Sequence, residues 1–109
     1  MENSNKISII IPSYNEEQLI KNTSEVVSDI MNQNNISFEI LFVDDGSKDG
    51  TWKQILSLSK DNSNIHGIHF SRNFGKESAI YAGMQYAKGI AAVVMDCDLQ
   101  HPPIKIVEC

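Results

Sequence analysis

The sequence predicts an α/β fold built on an open, mainly parallel sheet with helices on both faces. Four short apolar runs, at 7–11, 38–43, 65–70 and 91–95, are rich in β-branched or aromatic residues and are bounded by turn formers. Between them the apolar residues recur at helical spacing. The runs begin at residues 7, 38, 65 and 91, which are 31, 27 and 26 residues apart, and one βαβ unit occupies roughly 30 residues or more.

Each element has its own signal. After the first strand, Leu19, Ile20, Thr23, Val26, Val27, Ile30 and Met31 fall on one helical face. After the second, Trp52, Ile55, Leu56 and Ser59 do the same over a shorter segment. A third helix is expected over 76–88, on Ala79, Ile80, Gly83, Met84 and Ala87, with Gly89 as its C-cap. The strands are apolar on consecutive residues, as expected when helices cover both sheet faces, and the crossovers are expected to be right-handed. Pro102 and Pro103 followed by 104–109 read as the first turn of a fourth helix at which the chain stops, so residues 1–109 are expected to be one incomplete domain.

Composition narrows the function classes. With 41% hydrophobic and 21% charged residues, the profile is that of a soluble globular protein. The net charge is -5 and no basic run is present, which argues against a nucleic-acid partner. An acidic protein that holds a phosphorylated ligand needs a local cation or a metal ion. Cys97 and Cys109 form no disulfide pattern, and the polar start to Lys6 leads into no signal peptide or membrane span. A cytoplasmic setting is expected.

Ligands of open α/β sheets bind outside the carboxyl ends of the strands. The sequence loads those four loops with polar groups: Pro12 to Glu17, Asp44 to Ser47, Ser71 to Lys76 and Asp96 to His101. Asp96 and Asp98 form a D-x-D that can give two hard oxygen donors to Mn2+ or Mg2+, with Gln100 or His101 nearby. The same pair can instead cap the next helix and face solvent. Asp45 is the candidate acceptor for a nucleobase N–H, although Asp44 or Asp45 can equally cap the turn. Tyr14 offers a stacking face or a packed core edge, and Arg72 and Lys76 are the cations a diphosphate needs. Cys97 is expected to point into the sheet, with no base to activate it.

Four ordered motifs carry a resemblance that covers nearly the whole chain: I-P-S-Y-N-E-E at 11–17, V-D-D-G-S-K-D-G-T at 43–51, S-R-N-F-G-K at 71–76 and M-D-C-D-L-Q-H-P-P at 95–103. Together they resemble family 2 inverting glycosyltransferases, above all the polyprenyl-phosphate branch with dolichyl-phosphate mannose synthases and bactoprenol glucosyltransferases. The resemblance implies a Rossmann-like GT-A fold. It implies that Pro12, Tyr14, Glu16 and Asp45 line the nucleoside pocket, that Asp96 and Asp98 with Gln100 surround the metal, and that Arg72 and Lys76 lie near the phosphates. The implied donor is a UDP- or GDP-linked sugar, and the implied acceptor is a lipid phosphate at the cytoplasmic face of the membrane.

No residue is assigned as a catalytic base. The family's acceptor-side segment and any membrane helices are expected beyond Cys109, so the 109 residues are expected to bind donor weakly and turn over little. A non-catalytic nucleotide-binding module uses the same motifs and stays open as the alternative. A receiver-like domain is disfavoured because the third strand ends in Phe70-Ser71-Arg72 with no phosphorylatable Asp. A dinucleotide-binding domain is disfavoured because Pro12 and Tyr14 stand where a G-x-G-x-x-G loop is required. An incomplete sheet exposes edge and apolar surface, so self-association is expected.

Overall fold

The computed structural model describes residues 6–98 and, for the backbone, 105–108. The elements run β1 (Ile7–Ser13), α1 (Ile20–Gln33), β2 (Phe38–Asp44), α2 (Thr51–Asp61), β3 (Ile65–His69), α3 (Lys76–Tyr86), β4 (Ala91–Val94) and β5 (Lys105–Glu108). The sheet order is β3-β2-β1-β4-β5. The first four strands pair in parallel and β5 joins β4 antiparallel.

The order fixes where a ligand can go. From β1 the chain winds outward to β2 and β3, then returns to the other side of β1 to lay down β4. That reversal opens a crevice between the loops leaving β1 and β4, at the carboxyl edge of the sheet.

Two apolar layers hold the sheet. On one face, Ile9, Ile11, Phe38, Ile40, Phe42 and Ile65 pack with Ile20 and Val27 of α1 and Ile55 of α2. On the other, Ile10, Leu41, Val43 and Ala92 pack with Ala79 of α3. Every residue of β2 is buried, which is why this strand is apolar on consecutive positions. A fully buried side chain of this size contributes about 1.5–3 kcal/mol.

Four details differ from the sequence reading. The fourth helix expected over 104–109 is instead β5 in its described part. Its Ile106 and Val107 are β-branched and favour strand over helix, and β4 has a free edge for them to pair with. Gly89 does not cap α3, which ends at Tyr86 with Ala87 extended at ψ 134°. Gly89 instead lies flat against β1, where a Cβ would press on the Lys6 carbonyl and the Ser8 amide, and its N–H donates to Ser8 Oγ at 2.8 Å. The consecutive apolar pattern fails in β3, which is an edge strand and only partly buried. Finally, Ile30 and Leu56 point outward, and Leu58 packs on the core where Leu56 was expected to do so.

Glu39 is a buried carboxylate in the middle of this sheet. It accepts from Ser8 Oγ at 2.6 Å and from the Lys88 amide at 2.7 Å, which ties β2, β1 and the segment after α3 together. Among the described residues no buried side-chain nitrogen or oxygen lacks a partner, and no helix is long and apolar enough to cross a membrane.

Phe42 is fully buried between α1, α2 and the sheet, whereas Leu56 is exposed. Urea unfolding is therefore expected to show Phe42→Ala destabilised by about 3–5 kcal/mol and Leu56→Ala by about 0.5 kcal/mol or less.

Candidate functional site

The strands end in step, and this brings the loops together. Ser13 of β1 pairs with Asp44 of β2, and the Asp45 amide donates to the Ser13 carbonyl at 2.8 Å. On the far side of β1, the Met95 amide donates to the Ile10 carbonyl at 3.1 Å. The loops after β1, β2 and β4 therefore leave from one edge, with the start of α3 beside them. Between them lies a cavity of about 350 Å3 lined by Pro12, Ser13, Tyr14, Glu16, Asp45, Lys76, Asp96, Cys97 and Asp98.

The first two loops are laced to each other. Asn15 takes a left-handed conformation at φ 53°, which Asn tolerates better than most residues. Its amide donates to Ser47 Oγ, and its Oδ1 accepts from the Lys48 amide, both at 2.8 Å. The Glu16 amide donates to Thr51 Oγ1 at 2.8 Å, and Glu17 Oε1 accepts from the Gly50 amide at 3.0 Å. Asp49 Oδ1 in turn accepts from the Thr51 amide at 2.9 Å, at the start of α2. Asn15, Glu17, Ser47, Asp49 and Thr51 thus hold the rim in place. In the sequence Asn15, Glu17 and Ser47 stand among the polar loop residues, and Asp49 and Thr51 in the second motif, with no role of their own; the alternation of short acceptors with turn glycines is the signal that marks them.

The adjacent aspartates divide the work between them. Asp44 is wholly buried; its Oδ1 accepts from the Ser47 amide at 3.0 Å, capping the turn, and its Oδ2 lies 2.8 Å from His69 Nδ1. His69 stacks on Trp52 with ring centroids 4.7 Å apart. Asp45 lines the cavity and also clamps the loop before α3, accepting from the amides of Phe74 at 2.7 Å and Gly75 at 3.0 Å and from Asn73 Nδ2 at 3.1 Å. Of a carboxylate's roughly four lone-pair sites, about one is then left. Gly46 makes this clamp possible: at φ 74° it lies against the backbone of Arg72 and Asn73, where a Cβ would collide.

Charge is unevenly distributed in the cavity. Glu16, Asp45, Asp96 and Asp98 bring four carboxyl groups to it, and Lys76 brings one ammonium, which pairs with Asp96 Oδ1 at 2.7 Å. Burial pushes the Glu16 carboxyl up from its ordinary range; Asp98 and Asp96 add to the rise, while the Tyr14 amide and Lys76 oppose it. Tyr14 lines the cavity and keeps 41% of its surface exposed.

Seven of the residues named from sequence meet here: Pro12, Tyr14, Glu16, Asp45, Lys76, Asp96 and Asp98. Arg72 does not line the cavity, because its guanidinium lies over the Phe74 ring, 4.7 Å from the centroid. Gln100 and His101 lie outside the described residues. Among the described residues no group of three or more His, Cys, Asp and Glu side chains could hold a metal ion unaided. Asp96 and Asp98 are nonetheless hard oxygen donors in an electronegative cavity, and a divalent ion that carries phosphates needs only one or two protein carboxylates. The residues fit such an ion.

Cys97, between those aspartates, points inward with its sulfur 3.8 Å from Thr23 Oγ1 of α1, while the Thr23 hydroxyl donates to the Cys97 carbonyl. Burial, with Glu16 adding to it, pushes the thiol up to about 11. The folded state thus keeps a proton that the unfolded chain loses above its ordinary value of 9.0, so this group lowers stability as pH rises from about 9 to about 11. Iodoacetamide at pH 8, read by peptide mass, is expected to leave Cys97 unmodified in the folded protein and to label it in urea. Labelling at equal rates in both states would contradict this placement.

Comparison with known proteins agrees with the geometry. Residues 8–108 match the model of the family described as glycosyl transferase family 2. The chain is 46% identical over 101 residues to a Bacillus subtilis protein named "Uncharacterized glycosyltransferase YkcC", covering 93% of this chain and 31% of that one. It is 39% identical over 97 residues to the bactoprenol glucosyl transferase of Shigella phage SfV, covering 89% of this chain and 31% of the relative. The chain thus spans about a third of the length of these curated relatives. Among solved structures, S. aureus TarS 1-349 in complex with UDP superposes with a TM-score of 0.70 at 27% identity, over 85% of this chain and 27% of that one. The mannosyltransferase PcManGT of Pyrobaculum calidifontis, in complex with GDP-Man and Mn2+, shares the fold with a TM-score of 0.71 at 24% identity, over 84% of this chain and 27% of that one. The architecture is the GT-A, Rossmann-like α/β fold.

Proposed function

The chain belongs to glycosyl transferase family 2, and from that premise we propose that residues 1–109 form the donor-binding part of an enzyme that transfers a sugar from a nucleoside diphosphate to an acceptor, with inversion. The observation that carries the reading is the cavity at the strand reversal, where an aromatic face, four carboxyl groups and one ammonium converge. Tyr14 and Pro12 flank the nucleoside, and Tyr14 stacks on the base. Asp45 has about one lone-pair site left for a base N–H and also holds the loop beside it. Glu16 lines the same pocket. Lys76 is the cation the cavity offers to the diphosphate, with Arg72 standing further out on the same loop.

Asp96 and Asp98 are the residues that hold Mn2+ or Mg2+ in this reading, with Gln100 as a third donor. The ion supplies charge neutralisation to the departing diphosphate. The TarS complexes with UDP and with UDP-GlcNAc support a nucleotide-sugar donor for a chain of this fold. The relatives named bactoprenol glucosyl transferase support a polyprenyl phosphate acceptor for the whole protein. Such an acceptor is already anionic and attacks without a strong protein base.

Calorimetric titration with UDP and GDP, each with and without Mn2+, tests the reading and identifies the base. Metal-dependent binding of one nucleotide is expected, weakened at least about tenfold, or 1.4 kcal/mol, in the Asp96→Asn/Asp98→Asn variant. No binding of either nucleotide to a folded sample would overturn it.

A further inference from the structure

Among the described residues lining the cavity Lys76 is the sole cation, and its ammonium is placed on Asp96, one of the two carboxylates proposed to hold the metal. The two roles assigned to that corner therefore compete. A divalent ion on Asp96 and an ammonium 2.7 Å from the same carboxylate oxygen would repel each other strongly.

The pair is built to exchange. Its side chains are 61% and 35% exposed, and ion pairs this open to water are weak. Lys76 is also the first residue of α3, the end of a helix that disfavours a cation and favours an anion. Asp96 offsets that unfavourable position in the free protein, and a diphosphate placed at the same helix end would offset it as well. The neighbouring Glu16 carboxyl feels Asp98, Asp96 and Lys76 together, so the corner behaves as one charge cluster.

We propose that Lys76 is a place-holding cation: it neutralises Asp96 in the free protein and moves to the donor diphosphate on binding, which leaves the carboxylate to the divalent ion. This rests on the donor-site reading of the cavity. By linkage, whatever the diphosphate contributes to metal affinity through Lys76, the metal returns to diphosphate affinity by the same factor. Donor and metal then bind cooperatively, and metal alone binds weakly.

The test needs no turnover. Free Mn2+ is counted by its paramagnetic resonance signal during titration of the protein, alone and with saturating UDP or GDP. Lys76→Met is expected to bind Mn2+ alone about two- to fivefold more tightly than the parent, the scale set by an exposed ion pair. The factor by which nucleotide tightens Mn2+ is expected to shrink by the same amount. Lys76→Arg, which keeps a cation there, is expected to return Mn2+ affinity to the parental value. Lys48→Met removes a charge from the loop after β2, where the backbone amide and not the ammonium serves the lacing, and is expected to leave Mn2+ affinity unchanged. If Lys76→Met binds Mn2+ no more tightly than Lys48→Met while nucleotide still binds with metal, the place-holding role is overturned and the donor site stands. If the parent protein binds neither nucleotide with Mn2+, the donor site falls and the place-holding role with it.

Discussion

The central position of β1 is the constraint on which the rest of the structure depends. β1 is paired in parallel on both sides, with β2 through seven residue pairs and with β4 through four. Because the pairs are in step, Ser13 ends beside Asp44, and Asp96 stands two residues past Val94, the end of β4. A one-residue slip would turn every side chain of a strand to the opposite face. It would exchange the Ile9, Ile11 layer for the Ile10 layer, and it would also carry the β1 loop out of reach of its partners. Core packing and site geometry are thus fixed by the same register.

The rim adds a second level of order. Hydrogen bonds between the loops after β1 and β2 run in both directions, with backbone amides of each loop donating to side chains of the other. Each such bond is worth only about 0.5–1.5 kcal/mol, but together they leave the loops little freedom. Asp45 extends the lacing to the loop before α3. Preorganisation of this kind lowers the ordering cost that a ligand otherwise meets.

Much of this was legible in the sequence because the strong signals were local. Apolar β-branched runs marked β1, β2 and β4, helical spacing marked α1 to α3, and the polar loops fell at strand ends. What was not legible depended on tertiary contact. Asp44 and Asp45 are chemically identical neighbours, and only the pleat decides that one turns to His69 and Ser47 while the other faces the cavity. Gly89 looked like a cap because a glycine follows the helix; its true constraint is the nearness of Lys6 and Ser8, 83 and 81 residues back in sequence. Arg72 and Lys76 look equivalent in the motif, yet Phe74 holds the first and Asp96 the second. The segment at 105–108 read as a helix because two prolines precede it, whereas the open side of β4 decided its state.

The charge arrangement explains why the fold tolerates a corner that disfavours itself. Four carboxyl groups facing one ammonium repel, and burial makes the Glu16 charge costlier still. Surfaces selected only for stability do not gather like charges in a concavity, and such clusters persist where function requires them. The ion pair with Lys76 relieves part of the repulsion without filling the cavity, because the ammonium approaches from the exposed end of α3. A buried pair would have yielded less readily to a ligand, because separating it leaves an uncompensated buried charge. The contact thus relieves part of the like-charge repulsion at the carboxyl edge of the sheet while staying weak enough for the exchange proposed for Lys76.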